Sequence, residues 1–150
     1  MFLSLPLNKV DLLWKRLVKK VLVDSNFLFL PVSRGINIFS EVERLLNSKA
    51  EFIVLTPVFD EIKRLTLKTK KLKLRKNAIF ALNLAEKLTR MDFESYGRTV
   101  DDCLVEAALK YGFIVATGDM KLRKKLRSLG VPVIYPRKSG KYLVLEGYVD

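Results

Sequence analysis

Residues 21–28, Val-Leu-Val-Asp-Ser-Asn-Phe-Leu, give the clearest indication of how this chain folds. The first three residues are apolar, two of them are β-branched, and the polar Asp24 follows, which is the pattern of a buried strand. Similar apolar runs predict strands at residues 51–56, 113–117 and 131–135, and an edge strand at 142–149. Because helical patterns separate these runs, the sequence predicts an α/β domain with a mainly parallel sheet.

Helices are predicted between the strands from apolar spacing and from capping residues. Pro57 suits a first helical turn, where its missing N–H is not needed. Thr99 is expected to cap a helix that ends at Gly112. The predicted helices cover residues 36–47, 57–67, 77–90, 100–111 and 119–129.

The composition limits the chemistry that this chain can perform. Its 150 residues are the size of one domain, and 28 Lys and Arg against 16 Asp and Glu give a formal charge of +12. It contains no histidine and one cysteine, Cys103. These counts exclude imidazole catalysis, a Ser-His-Asp triad, a disulfide framework and zinc sites built from His or Cys. The basic surface favours a polyanion, with nucleic acid as the first candidate partner and an anionic membrane surface as the second.

The domain boundary is predicted near residue 20. Residues 1–19 have the spacing of an amphipathic helical appendage, and residues 20–150 form the folded domain. The apolar start, residues 1–7, lacks the positive n-region and the small-residue cleavage site of a signal peptide, and no stretch is long and apolar enough to span a membrane. The sequence therefore predicts a cytoplasmic protein without a membrane partner.

Acidic side chains are expected to converge at one edge of the sheet, because ligands of open α/β sheets bind beyond the carboxyl ends of the strands. Asp24 ends the first strand and Asp119 follows the third. Glu61 lies one turn into the helix after the second strand, and the helix that begins with Asp101 and Asp102 starts on the same side. Each acid also has an ordinary alternative role, as a turn residue, a helix cap or a solvated helix residue.

Clustered carboxylates indicate a metal site. A like-charged pair at about 4 Å repels by roughly 4 kcal/mol at an effective dielectric near 20, so such clusters usually bind cations. Oxygen ligands without His or Cys suit Mg²⁺ or Mn²⁺ rather than zinc. One or two such ions can activate water and stabilise the leaving oxygen of a phosphodiester. An acidic site within a basic surface therefore predicts hydrolysis of nucleic acid.

Two basic runs adjoin the predicted acidic site. Residues 63–76 carry eight basic residues and no acidic one, and a second run follows Asp119. We expect these side chains to contact the phosphates of a nucleic acid, with an affinity that falls as salt rises. The alternative is a solvated helix face or loop. The candidate phosphate-binding residues are Lys63, Arg64, Lys70, Lys71, Lys73, Arg75, Arg123, Lys124 and Lys125.

Four segments contain the acids and their neighbours: Val21 to Leu28, Val58 to Leu65, Asp101 to Gly112, and Val115 to Asp119. In this order along the chain they resemble the motifs of PIN-domain nucleases. The resemblance covers about residues 20–136. The double acid before Cys103 and the ending Gly-Val-Pro-Val-Ile-Tyr at 130–135 are most similar to the nucleases of small-subunit ribosomal RNA processing and their archaeal relatives.

This resemblance implies a three-layer α/β/α sandwich with a mainly parallel sheet of four or five strands. It also implies cleavage of single-stranded RNA that depends on Mg²⁺ or Mn²⁺, and frequent homodimers. In this family the residues that match Asp24, Glu61 and Asp119 are catalytic metal ligands.

The third acid of the resemblance is assigned to Asp101 or Asp102. The spacing to Gly112 favours Asp101, and Asp102 is then expected to support the metal site or cap the helix. Asn26 and Thr117 are expected to orient the carboxylates or a metal-bound water.

The leading hypothesis is therefore a metal-dependent endoribonuclease of ribosomal RNA processing, with RNA and a pre-ribosomal particle as partners. Two alternatives stay open: a toxin ribonuclease neutralised by an antitoxin, and a non-catalytic RNA-binding scaffold with the same fold. A phosphoacceptor receiver domain fits less well, because no Lys lies at a later strand end.

Overall fold

A computed structural model of the protein describes Lys9 and residues 17–149. Within these residues the chain alternates between six strands and seven helices. In chain order they are β1 (Val18–Val23), α1 (Ser25–Leu28), α2 (Leu30–Arg34), α3 (Ile38–Leu46), β2 (Lys49–Leu55), α4 (Thr56–Lys68), α5 (Leu72–Glu86), β3 (Thr89–Met91), α6 (Val100–Tyr111), β4 (Ile114–Ala116), α7 (Met120–Ser128), β5 (Val133–Pro136) and β6 (Leu143–Glu146).

The strands form one mixed sheet in the order β3-β2-β1-β4-β5-β6. The first five strands are parallel, and β6 pairs antiparallel with β5 at one edge. This confirms the predicted α/β fold and its mainly parallel sheet. The sheet has six strands, whereas four or five were expected.

Both faces of the sheet are covered. Val21, Leu22 and Val23 are consecutive in β1 and therefore alternate between the two faces, yet each is 0 % exposed. Val54 and Leu55 in β2 are buried in the same way. A strand without an exposed face needs helices on both sides, so the domain has three layers.

The direction of winding changes between β1 and β4. From β1 the chain moves outward to β2 and β3, and it then returns to place β4 on the other side of β1. The carboxyl ends of β1 and β4 are thus neighbours, and the Asp24 N–H donates to the Ala116 carbonyl at 2.9 Å. In open α/β sheets this change of direction leaves a crevice that binds ligands.

The sequence missed the strand β3, whose three residues include one apolar side chain and lie at an exposed edge. Without an apolar run, a strand of this kind leaves no periodic signal. The helix predicted over 77–90 begins earlier, at Leu72, and ends at Glu86. Its first turn has no side-chain cap, so the sequence offers no start signal there.

The predicted appendage falls mostly outside the described residues. Of residues 1–19, the structure describes Lys9 and residues 17–19, and the strand β1 begins at Val18. Within the described part of the chain, no helix is long and apolar enough to cross a membrane.

Candidate active site

Asp24 lies at the change of winding direction and is the one buried carboxylate among the described residues, with 4 % of its surface exposed. Its Oδ1 accepts a hydrogen bond from the Ser25 backbone N–H at 2.8 Å. Its Oδ2 accepts one from the Thr117 hydroxyl, also at 2.8 Å. Both carboxylate oxygens therefore have a fixed orientation.

The electrostatic surroundings of Asp24 are unfavourable to its negative charge. Burial raises the pKa of Asp24 to about 6 by removing the carboxylate from water. The hydrogen bonds from Thr117 and Ser25 oppose this shift, and the negative charges of Asp101 and Glu61 add to it. Two of the other predicted acids are thus close enough to influence Asp24.

Thr117 connects two of the predicted acids. Its side chain is fully buried at the end of β4. The hydroxyl donates its proton to Asp24 and accepts a hydrogen bond from the backbone N–H of Asp119 at 3.1 Å. Thr117 therefore connects Asp24 with the backbone of Asp119 through one hydroxyl group.

Asn26 holds the loop after β4. Its side-chain oxygen accepts a hydrogen bond from the Gly118 backbone N–H at 2.8 Å. Because Asn26 belongs to α1, this bond ties the segment between Thr117 and Asp119 to the helix that follows Asp24. The site thus depends on an amide as well as on carboxylates.

Asp119 caps the helix α7 and also faces the site. Its Oδ1 accepts hydrogen bonds from the backbone N–H groups of Lys121 at 2.8 Å and Leu122 at 3.1 Å. The capping role that the sequence left as an alternative is therefore real. It coexists with a position beside Asp101, whose pKa the charge of Asp119 raises.

Glu61 reaches the site from α4, one turn after β2. Its Oε1 accepts a hydrogen bond from the Ser25 hydroxyl at 3.2 Å. Ser25 was not among the predicted site residues, although it lies between Asp24 and Asn26 in the motif from which the fold was predicted. The sequence did contain a signal for it, because a hydroxyl side chain directly follows the acid that ends β1.

The structure separates the adjacent acids Asp101 and Asp102. The pKa of Asp101 is raised by burial and by the negative charges of Asp119 and Asp102. The pKa of Asp102 is lowered, because its carboxylate interacts with the Thr99 cap and with Lys125, whose Nζ lies 3.4 Å from Oδ1. Asp101 thus belongs with the other acids, whereas Asp102 pairs with a cation at the surface.

We call Asp24, Glu61, Asp101 and Asp119 the acidic rim. The described residues contain no ready-made group of three or more His, Cys, Asp or Glu side chains able to hold a metal ion. The rim nevertheless supplies oxygen donors alone, and their mutual repulsion is visible in the raised pKa values of Asp24 and Asp101. By its chemistry this donor set fits a hard divalent cation, which would draw the carboxylates together.

The predicted RNA-binding residues lie on two basic surfaces. The first, which we call the basic hairpin, is residues 63–76, spanning the end of α4 and the start of α5, and nearly all of its side chains are exposed. Arg64 also lines a cavity of about 520 Å³ with Asp60 and Asp92. The second surface is on α7, where Lys125 pairs with Asp102 and Arg123 lies over the Tyr135 ring.

Comparison with known proteins identifies the family. Residues 21–139 match the PIN-like domain. The chain is 36 % identical to ribonuclease VapC4 of Methanocaldococcus jannaschii over 135 residues, which are 87 % of this chain and 98 % of that protein. The chain belongs to the PIN-like domain family. This confirms the resemblance that the four motifs indicated.

Other relatives of this PIN-like domain include proteins of ribosomal RNA processing. The rRNA-processing protein FCF1 of Saccharomyces cerevisiae is 28 % identical over 119 residues, which are 77 % of this chain and 58 % of that protein. Among solved structures, the PIN domain endonuclease Utp24 has the same fold, with a TM-score of 0.69 and 22 % identity over 87 % of this chain and 93 % of that one.

Proposed function

We propose that this PIN-like domain is a divalent-metal-dependent endoribonuclease that cleaves single-stranded RNA. The observation that carries the proposal is the buried Asp24, whose pKa is raised to about 6 with contributions from Asp101 and Glu61. A chain with a charge of +12 has Lys and Arg available to neutralise such acids. Over residues 17–149, however, none of the four rim acids forms an ion pair. Asp24 and Glu61 accept hydrogen bonds from hydroxyl groups, and Asp119 accepts them from backbone N–H groups.

The acidic rim would hold Mg²⁺ or Mn²⁺ through carboxylate oxygens, with Asp24, Glu61, Asp101 and Asp119 as ligands. When bound, such an ion supplies Lewis acidity, which activates water and stabilises negative charge on a phosphodiester oxygen. Asp102 would support the site indirectly, since it lies in the first turn of α6, where its backbone N–H donates to the Thr99 hydroxyl at 3.1 Å.

The residues around the rim determine its geometry. Thr117 fixes one oxygen of Asp24 and the backbone of Asp119, and Ser25 donates to Glu61. Asn26 restrains the loop that carries Asp119 through Gly118. Catalysis by carboxylates depends on such restraint, because small displacements of reacting groups cost large factors in rate.

RNA as the substrate is supported by two observations. Two relatives that the chain matches over 98 % and 90 % of their length are named ribonucleases. The basic hairpin follows Glu61 along α4, and the cations of α7 follow Asp119. Lys and Arg side chains bind a phosphate backbone without regard to sequence.

The test is incubation of the protein with labelled single-stranded RNA and Mn²⁺. We expect the wild type to cleave the RNA at internal positions and EDTA to stop this cleavage. The cleavage rate of an Asp24→Asn, Asp119→Asn double variant should be at least about a hundredfold lower than that of the wild type. Asp60→Asn is the matched control, because this exposed acid adjoins Glu61 without joining the rim. Cleavage by both the wild type and the double variant, or by neither, contradicts the proposal.

A non-catalytic scaffold would give a different result in the same experiment. RNA binding would survive EDTA and the Asp24→Asn substitution, and no cleavage product would appear with any divalent ion.

For the cellular role, we place the chain first in ribosomal RNA processing, on the relatedness to FCF1. A strain that lacks the protein should then accumulate unprocessed small-subunit ribosomal RNA, and the Asp24→Asn variant should not restore processing.

The second candidate role is that of a toxin ribonuclease, and the 98 % coverage of ribonuclease VapC4 favours it. In that case induced expression of the wild type, but not of Asp24→Asn, should arrest growth. A small antitoxin encoded beside the gene should restore growth when both are expressed.

A further inference from the structure

A cavity of about 290 Å³ opens beside the acidic rim, between the first turn of α7 and the end of β5. Its wall contains the carboxylate-bearing Asp119 and two cationic residues, Arg123 and Lys138. Tyr135 also lines it. The volume is at the lower limit of ligand cavities, which hold roughly 300–1,000 Å³, so the space suits one small unit of a ligand.

Arg123 is restrained by an aromatic ring. Its guanidinium carbon lies 3.9 Å from the centroid of the Tyr135 ring, which is close contact for a cation–π pair. A guanidinium held by its face keeps its N–H donors for a ligand and loses less freedom when the ligand binds. The ring therefore prepares Arg123 to bind rather than neutralising it.

The charges of Arg123 and Lys138 are not matched by carboxylates. Over residues 17–149, neither side chain has a carboxylate within salt-bridge distance. Other cations in the same part of the chain do have such partners, namely Arg44, Arg98, Lys125 and Arg127. Two unmatched cations in one small cavity form a site for an anion, and the planar fork of Arg matches the oxygens of a phosphate.

We infer that this cavity binds the backbone phosphate of the nucleotide adjacent to the bond that is cut, through Arg123 and Lys138, with Tyr135 as the positioning residue. The inference rests on the proposed function, because it assigns a place to a second phosphate of the same RNA strand. Arg123 lies one helical turn from Asp119, and its backbone N–H donates to the Asp119 carbonyl at 2.9 Å. A phosphate in the cavity therefore adjoins the rim directly.

The test measures binding without cleavage. The probe is 5′-fluorescein-labelled dodecauridine in EDTA, followed by fluorescence anisotropy over a series of salt concentrations. We expect Arg123→Met to weaken binding about tenfold, since a charged hydrogen bond is lost. The slope of log affinity against log salt should fall by roughly 0.7, the value for one phosphate contact on a single strand.

The controls separate this site from general charge effects. Lys49→Met removes one positive charge at the opposite ends of the strands, where Lys49 begins β2, and should change the affinity less than about twofold. Tyr135→Phe keeps the ring and should bind as the wild type does, whereas Tyr135→Leu should approach Arg123→Met. Thermal melting shows whether each variant is folded, and Arg123→Lys, which keeps the charge without the planar group, should be intermediate in affinity.

Equal weakening by Arg123→Met and Lys49→Met would overturn the inference, and so would an absence of RNA binding by the wild type. If the wild type cleaves RNA with Mn²⁺ while Arg123→Met binds normally, the subsite is wrong and the proposed function stands. If the wild type fails to cleave while Arg123→Met selectively loses binding, the proposed function is wrong and the anion site stands.

Discussion

The acidic rim and the basic hairpin hold their charges in opposite ways. In the rim, Asp24 is 4 % exposed and both of its oxygens accept hydrogen bonds from neighbouring groups. In the hairpin, even apolar side chains reach solvent, since Leu67 is 76 % and Leu72 is 65 % exposed. One region orders its charges at fixed positions, and the other displays them on long side chains.

The difference matches what each region would recognise under the proposed function. Chemistry at one phosphorus atom requires a few groups at defined positions, so their orientation is built into the fold. Contact with a flexible phosphate backbone requires charge density, because every phosphate is equivalent and the affinity comes largely from released counterions. Substitutions in the rim should therefore act on the rate of cleavage, and substitutions in the hairpin should act on affinity.

The sharpest test of an ordered rim compares Asp101→Asn with Asp102→Asn. We expect Asp101→Asn to lower the cleavage rate by about a hundredfold, since it removes a proposed ligand of the ion. Asp102→Asn should lower the rate by less than about threefold, because an exposed pair with Lys125 contributes little. Single-turnover cleavage with Mn²⁺ measures both variants.

Equal losses in these two variants would show that the neighbouring positions of α6 are equivalent. The rim would then act as a negative surface without fixed positions for its charges, and in this respect it would no longer differ from the basic hairpin.

The next test uses the raised pKa of Asp24. The folded state binds the proton of this group more tightly than the unfolded state, because the pKa is about 6 rather than 3.8. Its contribution to stability is therefore complete below pH 3.8 and is lost as the pH rises through about 6, by about 3 kcal/mol in total. Relative to Asp24→Asn, the wild type should lose this free energy of unfolding between about pH 4 and pH 7.

Denaturant titrations of both proteins across this pH range measure the difference, and groups common to both cancel. Added Mn²⁺ at neutral pH should raise the melting temperature of the wild type and not that of Asp24→Asn, since a bound cation stabilises the folded state. A difference in stability that is independent of pH would contradict a strained, buried charge at this position.

The smallest expected effect concerns the hairpin. Replacing Lys70, Lys71 and Lys73 together with Ala should lower the slope of log affinity against log salt by roughly 2, at about 0.7 for each phosphate contact on a single strand. The cleavage rate at saturating RNA should be unchanged. The matched control replaces the exposed Lys20, Lys49 and Lys110, which lie away from the carboxyl ends of the strands. A lower cleavage rate at saturating RNA would show that the hairpin takes part in the cleavage step and not only in binding.

Much of this arrangement could be predicted because its signals are local. A strand followed by an acid, as at Asp24, defines a position at the edge of a parallel sheet wherever it occurs in a chain. Thr99 and Gly112 likewise delimit α6, and Gly112 adopts the left-handed conformation, with φ of 70°, that ends a helix.

The features that were missed depend on distant partners. The preference for Asp101 over Asp102 was expected from the spacing to Gly112, but the pairing of Asp102 with Lys125, which α7 brings to the surface, was not. The contact between Ser25 and Glu61 joins residues that are 36 positions apart, and no pattern around either residue predicts that the two side chains meet. The cation–π pair of Arg123 and Tyr135 likewise connects a helix to a strand.

The short strand β3 also limits how copies of this chain can associate. It offers three residues at the sheet edge, and the guanidinium carbon of Arg90, its middle residue, lies 3.5 Å from the centroid of the Phe59 ring. An intermolecular sheet needs a longer row of free backbone groups, and charge at an edge opposes it. A homodimer of the kind that the resemblance implies is therefore not expected to form by pairing the β3 strands of two copies.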